Sequence, residues 1–371
     1  MLEKVFQPAL RSPEIGGDGS LTFRVRAPSA RQVRVELDAL AHPVQLARGA
    51  DGIWSGRSPI LPPDLYCYRV VVDGVGQLDA GNPHIKPAHD GLGESLVLVS
   101  GDPRGGALPW QRGELPRGHV VQHSYRSAEI GDDRDFYVYT PAGYDRRSTR
   151  VYPVLYLLHG LGDDASGWFR AGRAAVMLDH LIHSKRCAPM LVVCPTGHCH
   201  PDVASDRPVP AAGVALRSLA LMRAALLQEV LPMVEQAYAV DPGRGGRAVA
   251  GLSMGGAQAL YIGLNSPQLF AHIGAFSPAT FMLEQDYPAC LRQAPRCNGA
   301  PATWIRCGRD DFLLDDLGGF IDWLRQQGVP HAYQVTDGGH TWPVWRRNFI
   351  EFVTTLFIED NHANQFRTAA T

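Results

Sequence analysis

The chain has 371 residues, 45% of them hydrophobic and 19% charged, with a formal net charge of −2. That balance excludes a polyelectrolyte, so neither nucleic acid nor an anionic membrane is an implied partner. No apolar run reaches the roughly 18 residues needed to span a bilayer, and the length suits one large domain with a smaller one beside it.

Met1–Pro8 has no signal-peptide core. Two compartments stay open: the cytoplasm, or an exported location reached after a signal was trimmed. Residues 1–102 carry short alternating segments with turn signals between them. The clearest are Leu21–Arg26, Val33–Leu37, Tyr66–Gly74 and Ser95–Val99. Regular strands without helices predict a small all-β sandwich. Trp54, Tyr66 and Tyr68 are its aromatics, available for core packing or inter-domain contact. Residues 103–118 are rich in Gly and Pro and read as a linker.

Over 119–358 the pattern changes. Arg134–Thr140, Val151–Leu158, Met190–Val193, Ala302–Cys307 and His331–Thr336 read as strands. Residues 174–184, 215–238, 314–327 and 343–357 read as helices. Alternation of this kind predicts a mostly parallel sheet with helices on both faces, and ligands bind at the carboxyl ends of such strands. The tail, 359–371, is polar and is expected to be disordered.

The motifs fall at those carboxyl ends. Gly251-Leu252-Ser253-Met254-Gly255 is a G-x-S-x-G pattern between an apolar run and a helical stretch, the setting of a nucleophile elbow. Taken alone, a serine between glycines is an ordinary turn residue. Downstream, Asp310 and Asp311 lie on a loop after a strand, and His340 on a loop after the next one. Ser, Asp, His is the chain order of α/β-hydrolases. Ser253 would attack, His340 would act as general base, and an aspartate would orient the imidazole. Asp310, Asp315, Asp316 and Asp337 compete with Asp311 for that last role. The turn after Leu157-Leu158-His159-Gly160 offers an oxyanion hole, with the backbone N–H groups of Leu161 and Met254 as donors. One such donor is worth roughly 3 kcal/mol. His159 reads as a structural residue of that turn. No metal or organic cofactor is required. Cys194-Pro195-Thr196-Gly197-His198-Cys199-His200 has a metal-like look, but no second ligand cluster accompanies it. Seven cysteines leave at least one thiol unpaired within the chain, and Cys290 and Cys297 are spaced to bridge or to stay free.

Leu157–Gly160, Gly251–Gly256, Cys307-Gly308-Arg309-Asp310-Asp311-Phe312-Leu313 and Gly339–Trp345 together resemble the esterase D-like α/β-hydrolases. Within them they resemble the family-one carbohydrate esterases, which include feruloyl and acetylxylan esterases. The resemblance covers roughly residues 117 to 358. It maps the family's acid onto Asp311 and its histidine onto His340. Relatives often carry paired aspartates before the Glu229–Pro232 stretch, where this chain has Arg217–Arg223. Phe23–Ala30 and Leu78–Pro83 resemble immunoglobulin-like modules related to glycogen-binding domains, and that resemblance implies sugar binding by exposed aromatics, a role open to Trp54, Tyr66 and Tyr68. The resemblance implies a serine carboxylesterase, with hydroxycinnamoyl esters of plant polysaccharide as first substrate class. Acetylxylan and siderophore esters are alternatives, and a glycan-binding protein with a relic hydrolase fold is the non-enzymatic one. The partner is then a small-molecule or oligosaccharide ester, and Trp168, Trp342 and Trp345 are candidates to pack its acyl group. The oligomeric state stays open.

Overall fold

A computed structural model of the chain describes residues 10–89, 91, 93–101, 107–203, 213–283, 287, 291 and 299–358. Cys290, Cys297, most of the Gly-rich stretch after Gly101, the tail from 359 and the N-terminal segment through residue 9 lie outside them. The chain divides into two compact units. One extends to Gln111 and includes Thr341–Pro343; the other holds the rest from Arg112 onward.

The first unit contains two sheets whose strand pairs are all antiparallel. One orders β1 (Glu14–Ile15), β2 (Leu21–Arg26), β6 (Ile53–Arg57) and β5 (Ala47–Arg48). The other orders β4 (Val44–Gln45), β3 (Val33–Leu37), β7 (Asp64–Val72), β10 (Glu94–Val99) and β9 (Ile85–Lys86), with β8 (Val75–Gln77) beside β7. In β2, Leu21, Phe23 and Val25 are buried while the residues between them are not, the period-2 signature of a strand with one covered face. Those side chains share one core with Val33, Val35, Tyr66 and Tyr68 of the other sheet. The aromatics considered for sugar binding are committed to that interior. Trp54 donates its indole N–H to Ala27 O at 2.8 Å, Tyr66 its hydroxyl to Pro62 O at 2.6 Å, and Tyr68 its hydroxyl to Asp79 at 2.8 Å.

The second unit is built on an eight-stranded sheet. Its order is β11 (His119–Arg126), β12 (Asp133–Thr140), β14 (Leu191–Pro195), β13 (Val154–Leu158), β15 (Arg247–Leu252), β16 (His272–Phe276), β17 (Ala302–Gly308) and β18 (His331–Thr336). From β14 to β18 every neighbouring pair is parallel, and β12 alone runs against its neighbours. The helices are α1 (Gly167–Arg170), α2 (Ala174–His183), α3 (Val214–Ala225), α4 (Leu231–Ala237), α5 (Met254–Leu264), α6 (Leu314–Gln326) and α7 (Trp342–Val353). A five-residue π-helical turn, Leu226–Val230, joins α3 to α4.

Both faces of the sheet are covered, which is why its central strands are buried throughout and mostly apolar rather than alternating. Val154, Tyr156, Leu158, Val249, Ile273 and Ile305 pack in one cluster with residues of α3, α5 and α6. On the opposite face Phe276 meets Trp168 of α1 and Phe352 of α7, with ring centroids 6.0 and 5.7 Å apart. No helix among the described residues is long and apolar enough to cross a membrane.

Candidate active site

Ser253 occupies the turn between β15 and α5. Its φ of 54° and ψ of −119° are a conformation that residues with a side chain rarely adopt. The surrounding backbone imposes it. Ser253 N–H donates to Phe276 O at 2.9 Å, while Ser253 O accepts from Ala257 and Ala279 N–H at 3.1 and 3.0 Å. The flanking glycines are required by space. A Cβ on Gly251 would lie 2.3 Å from Gly255 O, and one on Gly255 would lie 2.5 Å from His159 O. The strand and helix therefore pass at backbone contact, and the serine is held at the tip.

His340 and Asp311 meet this serine. His340 Nε2 lies 3.0 Å from Ser253 Oγ, and His340 Nδ1 lies 3.0 and 2.9 Å from the two carboxylate oxygens of Asp311. The carboxylate is wholly buried, whereas Asp310 is exposed. Leu313 N–H donates to Asp311 at 3.0 Å. Burial alone would raise the Asp311 carboxyl. The hydrogen bond and charge of His340, the Leu313 N–H and the Ser277 hydroxyl outweigh it and hold the carboxyl below its ordinary value. A hydroxyl, an imidazole and an ionised carboxylate thus stand in series. Such a series can take a proton from the hydroxyl as it attacks and return it to a leaving group.

The turn after β13 packs directly on the serine. A Cβ on Gly160 would meet Leu252 at 2.6 Å and Ser253 Cβ at 3.4 Å. Leu161 follows it, and Met254 opens α5, where the first N–H groups of a helix have no acceptor within the helix. The side chain of His159 fixes this turn. Its Nε2 accepts the Gly197 N–H at 2.8 Å, and its Nδ1 lies 2.8 Å from Gly160 O. That pairing needs the proton on Nδ1. Gly197 O in turn accepts from Gln258 Nε2 of α5 at 2.8 Å. The stretch from Thr196 to Cys199 is therefore a brace. Arg134 also donates to Thr196 O at 2.8 Å and to His198 O at 2.5 Å.

The tryptophans considered for substrate packing are all buried. Trp168 has no exposed surface and donates its indole N–H to Leu158 O at 2.9 Å, so it is a core residue and has no face for a ligand. Trp342 is also buried. Trp345 is buried and donates to Ser277 Oγ at 3.1 Å, its ring 4.9 Å from that of His340. Sequence reasoning passed over Ser277, which like Ser253 has a positive φ, here 47°, and joins Trp345 to Asp311. Its only signal is its place just after β16, in Phe276-Ser277-Pro278.

The Esterase family model matches residues 127–356. The chain belongs to the esterase family. It is 26% identical over 362 residues to an endo-1,4-beta-xylanase/feruloyl esterase of Xylanibacter ruminicola, covering 95% of this chain and 46% of that protein. It spans about half the length of the curated relatives it matches. Among solved structures, a ferulic acid esterase superposes with a TM-score of 0.54 at 26% identity, over 64% of this chain and 98% of the other. The enterobactin esterase of Shigella flexneri superposes with a TM-score of 0.67 at 17% identity, over 93% and 96% of the two chains. That likeness is one of fold.

Proposed function

We propose that the protein hydrolyses carboxylic esters through an acyl-enzyme on Ser253, and that hydroxycinnamoyl esters of plant polysaccharide are its substrate class. The observation that carries the mechanism is the 3.0 Å approach of Ser253 Oγ to His340 Nε2, with Asp311 on the far nitrogen. Ser253 adds to the carbonyl carbon as His340 takes its proton. The N–H groups of Leu161 and Met254 hold the oxyanion. The C–O bond then breaks, and the alcohol departs with the proton from Nε2. Water repeats the cycle on the acyl-enzyme, releasing the acid. The substrate class is supported by the identity to the Xylanibacter ruminicola protein and to the ferulic acid esterase.

The first unit is read as an immunoglobulin-like module of residues 1–102, followed by a linker at 103–118 and the catalytic domain at 119–358. Two antiparallel sheets over one core support the first assignment.

Ser253→Ala tests the mechanism. It should lower kcat by about a millionfold, as for other triad serines. A variant keeping a tenth of wild-type turnover on any ester would overturn the reading. Methyl ferulate, acetylated xylan, p-nitrophenyl acetate and a catecholate siderophore, assayed side by side, test the substrate class. Highest kcat/KM on the ferulate is expected. A preference for the acetyl or the siderophore ester would reassign it.

A further inference from the structure

Phe312 is the most exposed large hydrophobic residue among those described, at 74%. Its chain neighbours Asp311 and Leu313 are both buried. Leaving a phenyl ring in water forgoes the free energy of its burial, and no described residue covers most of this one. The ring is also close to the chemistry. Its centroid lies 4.6 Å from that of His340, at an interplanar angle of 51°. The imidazole also meets the ring of Trp345, edge-on at 4.9 Å; that tryptophan is buried and hydrogen-bonded to Ser277. The two aromatics differ in kind: one supports the histidine from inside, and the other presents a free face to solvent.

The side of the site on which Phe312 stands follows from the proton's path. His340 Nε2 returns its proton to the leaving oxygen, so that oxygen must come within hydrogen-bond reach of Nε2. The group attached to it must then pass beside the imidazole. The oxyanion points at the Leu161 and Met254 N–H groups, so the acyl chain is a separate substituent of the tetrahedral carbon from the leaving oxygen that faces Nε2. We infer that Phe312 is a platform for the leaving alcohol, and that it selects alcohols offering an apolar face, as a sugar ring does with its C–H groups, over small alcohols such as methanol. The inference rests on the acyl-transfer reading given above and adds the residue that discriminates on its alcohol side. Phe312 acts by contact with substrate and takes no part in proton transfer.

The test compares matched pairs: the methyl ester and a monosaccharide ester of ferulic acid, and the same two esters of acetic acid. Each is assayed with wild type, F312A and F312Y. For F312A, kcat/KM on the sugar esters should fall about tenfold, and on the methyl esters by less than about twofold. F312Y keeps the ring and should restore the sugar esters. Because the side chain is exposed, F312A should melt at the wild-type temperature. An equal loss on methyl and sugar esters would mean that Phe312 merely steadies His340, and would overturn the platform. So would no loss on either. The wild-type rates judge the parent reading separately: acetyl over feruloyl turnover would reassign the acyl group while leaving the methyl-to-sugar ratio to decide Phe312. Turnover of no ester at all would sink both.

Discussion

At the scale of residues, the acid of the series is the choice that sequence left open. Asp310 and Asp311 are adjacent, of one type, and on one loop. The family motif favours Asp311, and geometry supplies the physical reason: its carboxylate is buried against His340 Nδ1 while Asp310 is exposed. Asp311→Asn should therefore lower kcat by about ten-thousandfold, the cost of a wrongly oriented imidazole, and Asp310→Asn should lower it by less than about tenfold. A larger loss in the second variant would reverse the assignment. Stability gives an independent check. The folded-state carboxyl of Asp311 is held below its ordinary value. Its ionisation therefore contributes stability fully above about pH 4, the ordinary range, and loses it as pH falls through the lowered pKa. The difference in Tm between wild type and Asp311→Asn should be level from pH 7 to about 5 and shrink below about 4. A difference that widened on acidification would contradict the environment assigned to Asp311.

Among the elements, the strand–turn–helix around Ser253 was legible because three local signals agree: an apolar run, glycines at fixed offsets and a small-residue helix start. The helix boundaries of α2 and α6 were legible for the same reason. Others were not. His272–Phe276 forms β16 in the middle of the sheet, yet a five-residue segment containing a glycine gives no periodic signal of its own. His119–Arg126 forms an edge strand with nearly every side chain exposed or half-exposed, so it lacks the alternation that marks strands. Residues 215–238 read as one helix. The structure keeps the axis but widens it into a π turn at Leu226–Val230, where the Glu229 carboxylate accepts from the Ser127 hydroxyl at 2.7 Å and from Ala128 N–H at 2.6 Å. Such long-range anchors leave no mark in local sequence. The elbow itself yields a prediction by contrast of glycines. Gly251→Ala places a Cβ 2.3 Å from Gly255 O, a backbone atom that cannot swing aside. It should cost about 1–3 kcal/mol in urea unfolding and, by displacing Ser253, about a hundredfold in kcat. Gly318→Ala in α6 meets nothing within 4 Å and should stabilise by roughly 1 kcal/mol with turnover unchanged. Equal behaviour of the two variants would show that the close passage at the elbow is not what demands glycine.

For the whole molecule, the cysteines separate what is interior from what is reactive. Composition alone allowed a metal site, a disulfide or free thiols. Cys67, Cys187, Cys194, Cys199 and Cys307 are all buried and none is in a disulfide. Burial pushes the thiol of Cys199 up to about 11 and those of Cys187 and Cys307 up to about 12, and raises Cys194 well above its usual value. The thiolate is the reacting species, so these groups are doubly protected, by access and by protonation. They are spread across both units, from β7 through β14 to β17, and so report on the closure of the entire interior. Of the seven cysteines in the chain, only Cys290 and Cys297 fall outside this group. Native protein titrated with a chromogenic disulfide at pH 8 should therefore release at most two thiols, with ester turnover retained. The same titration in denaturant should release all seven if Cys290 and Cys297 are reduced, and five if they are bridged. A third thiol reacting rapidly in the native state would show that one of the two interiors is open to solvent. Loss of turnover on modification of Cys199 would show that the brace from Thr196 to Cys199 reaches Ser253 more directly than its hydrogen bonds require.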